Sequence, residues 1–515
     1  MFGSIKNVAR LWALARLLAK HDAMFALEMA GAPKPLLRLA GAGVRRDPRG
    51  RPGERLARAL NEAGPSFIKL GQALSTRSDI LGDDICDDLS KLQDDLPPFP
   101  SDQARAAIEA ELGAPIEELF EDFDDTPIAA ASIAQVHFAV THDGREVAVK
   151  VLRPGIEAAF QRDVELFRWL AHTAVQARPD LRRLKPVESI EILADTVELE
   201  MDLRFEAAAA AELAENFAGD PDFKVPDVDW KLTGSRVLTT ERLTGVIPLD
   251  DAEAITAAGH DVIDILTKAA AASFRQVFRD GFFHADTHPG NMFVLPDGRI
   301  AVVDFGIMGR LDLKTRRTLA EILVAFLNRD YRRAAEVHFE AGWVPRDRSV
   351  ESFTQACRSI AEPILDRPQN EISIGQLLAQ LFKVTETFRM EVQPQLLLLQ
   401  KTMLVAEGTA RRLAPEANMW LLIRPLIEDW MIANLGPEAK VRDVVRNLTE
   451  AVERLPGVLA DVEASSRLLA DGKVQLHPDT IRALRGEDTG ARRQPLGLWL
   501  AALTLLIVFI AVLLD

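Results

Sequence analysis

Four side chains have the types and the order needed to move a phosphoryl group: Lys150, Asp286, Asn291 and Asp304. The segment HADTHPGN sets Asp286 and Asn291 five positions apart. One short loop can then aim a carboxylate at an attacking hydroxyl or water while an amide oxygen reaches a divalent cation. Thirteen residues after Asn291, IAVVDFG brings Asp304 as a second candidate metal ligand. VAVK ends a strand at Lys150, where an ammonium can reach the α and β phosphates of a nucleotide. Glu206, within DLRFEAAAAAELAENF, is the helix carboxylate that would hold this lysine, with Glu198, Glu200, Glu212 and Glu215 competing nearby.

The spacing of Asp286 and Asn291 matches the protein-kinase pattern H-R-D-x-x-x-x-N, and the order lysine, loop, Asp-Phe-Gly matches the same mechanism. A rival reading stays open, in which His284, Asp286, His288 and Asp304 ligate the metal of a phosphohydrolase. It leaves Lys150 unexplained. Where a kinase has a glycine-rich loop, this chain has PIAAASIAQVHFA. Ala129, Ala130, Ala131, Ser132, Ile133, Ala134, Gln135 and Val136 are therefore candidate nucleotide neighbours. Alanine disfavours the positive φ that lets backbone N–H groups approach phosphate, so nucleotide must be covered differently. The segment VLTTERLTG links two candidate lobes, with backbone near Glu241 facing adenine.

The elements positioning these residues follow from turn signals and periodicity. Asp143-Gly144 turns one hairpin, between runs at 129–140 and 145–152, and Asp297-Gly298 turns a second, between Asn291 and Asp304. Helical patterning fills 153–218, returns at 252–280 and dominates beyond Leu311, leaving no room for a peptide-docking segment after Asp304. The expected division is a basic amphipathic segment and linker at 1–53, a helical extension at 54–126, an N-lobe with a helical insert at 127–243, and a helical C-lobe and extension at 244–490. A chain of 515 residues with 48% hydrophobic and 27% charged residues is a folded enzyme-sized body. Cys86 and Cys357 alone give neither a disulfide framework nor a cysteine-rich zinc site.

The net charge of −16 is unevenly spread. Residues 1–60 hold twelve Lys or Arg against four Asp or Glu, a balance of +8, so the remainder carries −24. That field argues against nucleic acid. The leading stretch places Val8, Leu11, Trp12, Ala15 and Leu18 on one helical face, suited to a membrane surface or to the main body. Leu496 to Leu514 is 19 residues without a charge, preceded by Arg482, Arg485, Arg492 and Arg493. It reads as a single C-terminal span of the inner membrane with the folded part on the cytoplasmic side.

Taken together these motifs resemble the UbiB family of atypical protein-kinase-like proteins, which support ubiquinone biosynthesis. GPSFIKLGQALSTRSDIL carries its KxGQ signature at Lys69, Gly71 and Gln72, AAASIAQVH resembles its alanine-rich loop, and ELEMDLRFEA resembles its ExD region at Glu200 and Asp202. The resemblance implies an α+β bilobal kinase-like fold. Its N-terminal helical extension would cover the site where a peptide would dock, with Lys69 and Gln72 meeting Glu200 and Asp202. It further implies ATP and Mg2+ as cofactors, held by Lys150 and Glu206 and by Asn291 and Asp304, with Asp286 acting on the acceptor. The implied activity is hydrolysis of ATP or phosphorylation of a lipid-like small molecule. The implied partners are a membrane lipid or quinone precursor, other ubiquinone-biosynthesis proteins and a second copy of the chain. The alternatives are a small-molecule phosphotransferase of the aminoglycoside and choline kinase type and a nucleotide-switched scaffold of a biosynthetic complex.

Overall fold

The computed structural model describes residues 2–29, 34–75, 81–89, 92, 96–177, 186–362, 388, 390, 394–415, 425, 426 and 430. Its first sheet is antiparallel throughout, in the order Asp122–Phe123, Ala134–Val140, Glu146–Leu152, Val237–Glu241, with Ala129–Ala130 also pairing with Ala134–Val140. Residues 129–140 are thus not one continuous strand. The chain turns at 131–133, where the Ala131 N–H donates to Ala134 O at 2.8 Å. The expected Asp143-Gly144 turn follows, with Gly144 at φ 82°.

Alternation along Glu146–Leu152 divides its side chains between two faces. Val147, Val149 and Val151 are buried in a core with Phe99, Ile108 and Phe120. Lys150 stands on the other face. Helices Ile156–Ala177 and Pro186–Glu200 lie within the 56 positions that separate Lys150 from Glu206, and helix Leu203–Asn216 then returns to the sheet. Leu203 and Ala207 pack with Ala134, Leu152 and Leu238, while Ala210 and Leu213 belong to the core of the following lobe. The alanine run gives this helix small side chains on the faces buried against both lobes.

The second lobe carries the sheet Phe223–Lys224, Ile300–Val302, Met292–Val294, Ile247–Pro248 and a ribbon of Phe282–His284 with Met308–Arg310. Its second hairpin turns at Gly298, φ 81°. Helices Leu313–Leu327, Tyr331–Glu340, Val350–Ala361 and Pro394–Leu413 follow. At the other end of the chain, helix Phe2–Lys20 packs on the body, burying Leu18 in one core with Leu56, Leu60 and Phe67.

The expected single-pass C-terminal anchor, and the inner-membrane localisation that rested on it, are corrected. Among the described residues no helix is long and apolar enough to cross a membrane. Residues 496–514 lie outside the described part. Length and apolarity are necessary for a span, but a run of apolar letters does not of itself make a membrane-crossing helix.

Candidate active site

The sheet face and helix Leu203–Asn216 bring Lys150 and Glu206 together. Lys150 Nζ donates to Glu206 Oε1 at 2.8 Å and Oε2 at 2.9 Å, and to Asp304 Oδ1 at 3.1 Å. One ammonium thus joins the sheet, the helix and the Asp-Phe-Gly turn. Burial alone would lower the Lys150 pKa, but Asp304 and Glu206 outweigh it and hold the ammonium charged, above its ordinary value. Burial pushes the Glu206 carboxyl up to about 7 against the pull of Lys150. Lys150 beside it holds the Asp304 carboxyl below the usual range. Asp304 adopts φ 63°, a left-handed conformation uncommon outside glycine, which turns the chain at the Asp-Phe-Gly segment.

His284 ties that turn to the catalytic loop. Its Nε2–H donates to Asp304 O at 2.7 Å and to Val303 O at 3.2 Å, while its Nδ1 accepts from the Asp286 N–H at 3.2 Å. This pattern needs one proton, on Nε2, and burial lowers the ring's pKa in the direction that keeps it neutral. The Asn291 side-chain N–H donates to Asp286 O at 3.0 Å and fixes the amide, so its oxygen is the end free to meet a ligand. His288 Nδ1 accepts from the Gly290 N–H at 3.0 Å, and its Nε2 lies 3.7 Å from Asp286 Oδ2. A Cβ at Gly290 would come within 2.8 Å of His288 Cε1, so the loop needs a glycine there to keep this ring in place.

With both His284 nitrogens engaged, the rival four-residue metal cluster loses a ligand, and no group of three or more His, Cys, Asp or Glu able to hold a metal occurs among the described residues. Asn291 and Asp304 offer a neutral and an anionic oxygen, the hard donors that suit Mg2+.

The alanine-rich turn is held by the chain that leads into it. Gln135, fully buried, accepts the Phe99 N–H at 3.0 Å and donates to His137 Nε2 at 2.8 Å, while His137 Nδ1–H donates to Asp124 O at 2.8 Å. Arg153 Nη2 reaches Pro97 O at 3.1 Å and Ala131 O at 3.4 Å. The Gln135 side chain is therefore spent on structure. Ala129, Ala130, Ile133, Ala134 and Val136 make the turn and its flanking strands. Ser132 is fully buried, and its hydroxyl finds no hydrogen-bond partner among the described residues. Glu241 serves the sheet too: its N–H donates to Asp227 O at 2.8 Å and its carboxylate accepts from Lys224 at 2.6 Å. Its N–H is thus not available to adenine.

In the extension, Lys69 Nζ meets Glu200 Oε2 at 2.9 Å, both side chains nearly buried. Asp202 instead caps helix Leu203–Asn216 and binds Arg204, at 2.6 Å to Nη2. Gln72 lies on helix Pro65–Leu74, where Gly71 sits so close to Leu60 that a Cβ would come within 2.8 Å of its Cδ1. One site residue had no sequence signal: Lys401, on helix Pro394–Leu413, whose Nζ donates to Asp286 Oδ1 at 3.0 Å.

Residues 91–338 match the ABC1 atypical kinase-like domain and residues 357–418 the UbiB helical domain. The chain is 42% identical over 457 residues to a probable protein kinase UbiB of Marinobacter nauticus, covering 87% of this chain and 83% of that protein. To the Aeromonas hydrophila protein of the same description it is 44% identical over 409 residues, covering 78% and 75%. Among solved structures it is similar to that of Rv3197 from Mycobacterium tuberculosis in complex with erythromycin, with a TM-score of 0.51, 27% identity, and coverage of 72% of this chain and 93% of that one.

Proposed function

The chain belongs to the UbiB family of atypical kinases, and on that premise we propose that it uses ATP and Mg2+ to act on water or a lipid-like small molecule in support of ubiquinone biosynthesis. The observation that carries this reading is the sharing of Lys150 between Glu206 and Asp304. ATP phosphates compete with Asp304 for Lys150, while Glu206 keeps its hold on the ammonium and so keeps it aimed. Asn291 and Asp304 would hold Mg2+, which when bound would neutralise charge on the phosphates. Asp286 orients the acceptor: the acceptor oxygen bonds to the γ-phosphorus as the bridging O–P bond breaks, ADP leaves with the electron pair, and the acceptor proton passes to Asp286.

A small acceptor is favoured over a peptide by the short path after Asp304. Phe305 is buried, Met308–Arg310 pairs straight back onto Phe282–His284, and helix Leu313–Leu327 begins three residues later. That leaves little chain on which a substrate peptide could lie. The test is nucleotide binding and turnover by the full chain. Asp304→Asn should lose Mg2+-dependent ATP binding, whereas Asp286→Asn should bind ATP and fail to turn it over. Undiminished Mg2+-dependent binding by Asp304→Asn would overturn the assignment.

A further inference from the structure

Two residues after Asp286, the loop brings a side chain beside the Asp286 carboxylate. That side chain is His288, which is held by the Gly290 N–H and stays 3.7 Å from Asp286 Oδ2. A cation reaches the other oxygen from elsewhere: Lys401 Nζ donates to Asp286 Oδ1 at 3.0 Å across 115 residues of sequence. The two groups lie in different matched regions, Asp286 in the kinase-like domain and Lys401 in the helical domain.

Helix Pro394–Leu413 is well placed to make this contact. It packs against helix Val262–Phe274 and against Met308–Arg310, the strand that follows the Asp-Phe-Gly turn. Leu399 and Ala410 anchor it in the two cores beneath, and Arg412 reaches Asp250 at 3.2 Å. The helix is therefore fixed at several points around Lys401. The Lys401 side chain is half exposed, and Asp286 is 28% exposed, so solvent and a small acceptor have access to the pair.

We infer that Lys401 is a positioning residue for Asp286: it orients the carboxylate that meets the acceptor and places a positive charge where the loop itself supplies only a histidine. The helical domain thereby completes the active site of the kinase-like domain. This rests on the reading of Asp286 given above.

The experiment measures steady-state ATP turnover and ATP KM of the full chain carrying Lys401→Met, Lys401→Arg, Asp286→Asn or the double change Asp286→Asn with Lys401→Met. Lys401→Met should lower kcat about 10- to 100-fold, the scale for losing a partner that orients a functional side chain, with ATP KM changed less than about threefold. Lys401→Arg should recover most of that loss. The double variant should be no slower than Asp286→Asn alone, because the two act as one unit. Turnover by Lys401→Met within about twofold of the parent chain, with Asp286→Asn inactive, overturns the Lys401 assignment and leaves the reading of Asp286 standing. An active Asp286→Asn overturns the reading of Asp286 itself. If Lys401→Met does not fold, Lys401→Gln takes its place, and rescue by arginine but not glutamine supports the assignment. Equal loss in arginine and glutamine variants overturns it.

Discussion

Two lysine–carboxylate contacts of nearly equal length stand at opposite ends of the site: Lys150 with Glu206 at 2.8 Å and Lys401 with Asp286 at 3.0 Å. Their surroundings differ. The first pair has 18% and 8% of its side chains exposed, the second 49% and 28%. In the first, each charge has given up water and depends on its partner, so loss of one leaves the other uncompensated. In the second, water replaces a lost partner at little cost. Equal geometry therefore means unequal energetics. The buried contact is part of what holds sheet and helix together, whereas the exposed one, on the proposed role of Asp286, matters for activity rather than stability.

Parallel substitutions turn this contrast into a measurement. Lys150→Met should cost about 3–5 kcal/mol in chemical denaturation, the range for breaking a buried pair from one side. Lys401→Met should cost no more than about 1 kcal/mol, the range for exposed pairs. Activity should fall in both, through ATP binding in the first and through kcat in the second. Equal stability losses would break the comparison, and would mean that Lys401 secures its helix rather than Asp286.

The same contrast explains what the sequence could reveal. That Lys150 would meet Glu206, and that Asp286, Asn291 and Asp304 would fall close together in the chain's turns, is legible because strand, loop and hairpin geometry tie each position to a short spacing, or to a helix just after the insert. Lys401 was not, since one lysine among exposed helical residues carries no local mark and only tertiary packing selects its neighbour. His284 was read as a rival metal ligand, because spacing cannot tell a ligating ring from one already bonded at both nitrogens. Gln135 was counted beside nucleotide, yet the buried backbone of Phe99 claims its amide. Glu241 is expected to face adenine, but its N–H is taken by Asp227 O. The C-terminal anchor rests on an uncharged run and the arginines before it, and among the described residues, which exclude 496–514, no helix is long and apolar enough to cross a membrane.

If burial, rather than nearness to ATP, sets the energetic class, Lys69 belongs with Lys150. Lys69 and Glu200 join helices Pro65–Leu74 and Pro186–Glu200 with 11% and 12% of their side chains exposed. Lys69→Met should then lose about 2 kcal/mol, the scale of a charge-assisted hydrogen bond removed from one side. Its ATP KM should move less than that of Lys150→Met, since Lys69 is held by Glu200 of the neighbouring helix whereas Lys150 is held by Asp304 of the Asp-Phe-Gly turn. A Lys69→Met protein as stable as its parent would show that burial is a poor guide in the extension. The comparison would then hold within the kinase lobes only.

The smallest effect is expected where the exposed end is held by loop geometry alone. Gly290 faces the His288 ring, and an added Cβ would meet Cε1 at 2.8 Å and Nδ1 at 3.0 Å. The ring is half exposed and hangs on a rotatable side chain, so it can swing away rather than strain the core. Gly290→Ala should therefore change stability by less than about 1 kcal/mol. Displacing the ring also strips the Gly290 N–H of its acceptor and removes His288 from the Oδ2 side of Asp286. Lys401 still holds Oδ1 from the opposite side, so turnover should fall only severalfold, less than in Lys401→Met. Kinetics of Gly290→Ala beside Lys401→Met decide the order: a larger loss from the glycine change would make the loop, and not the distant helix, the chief support of Asp286.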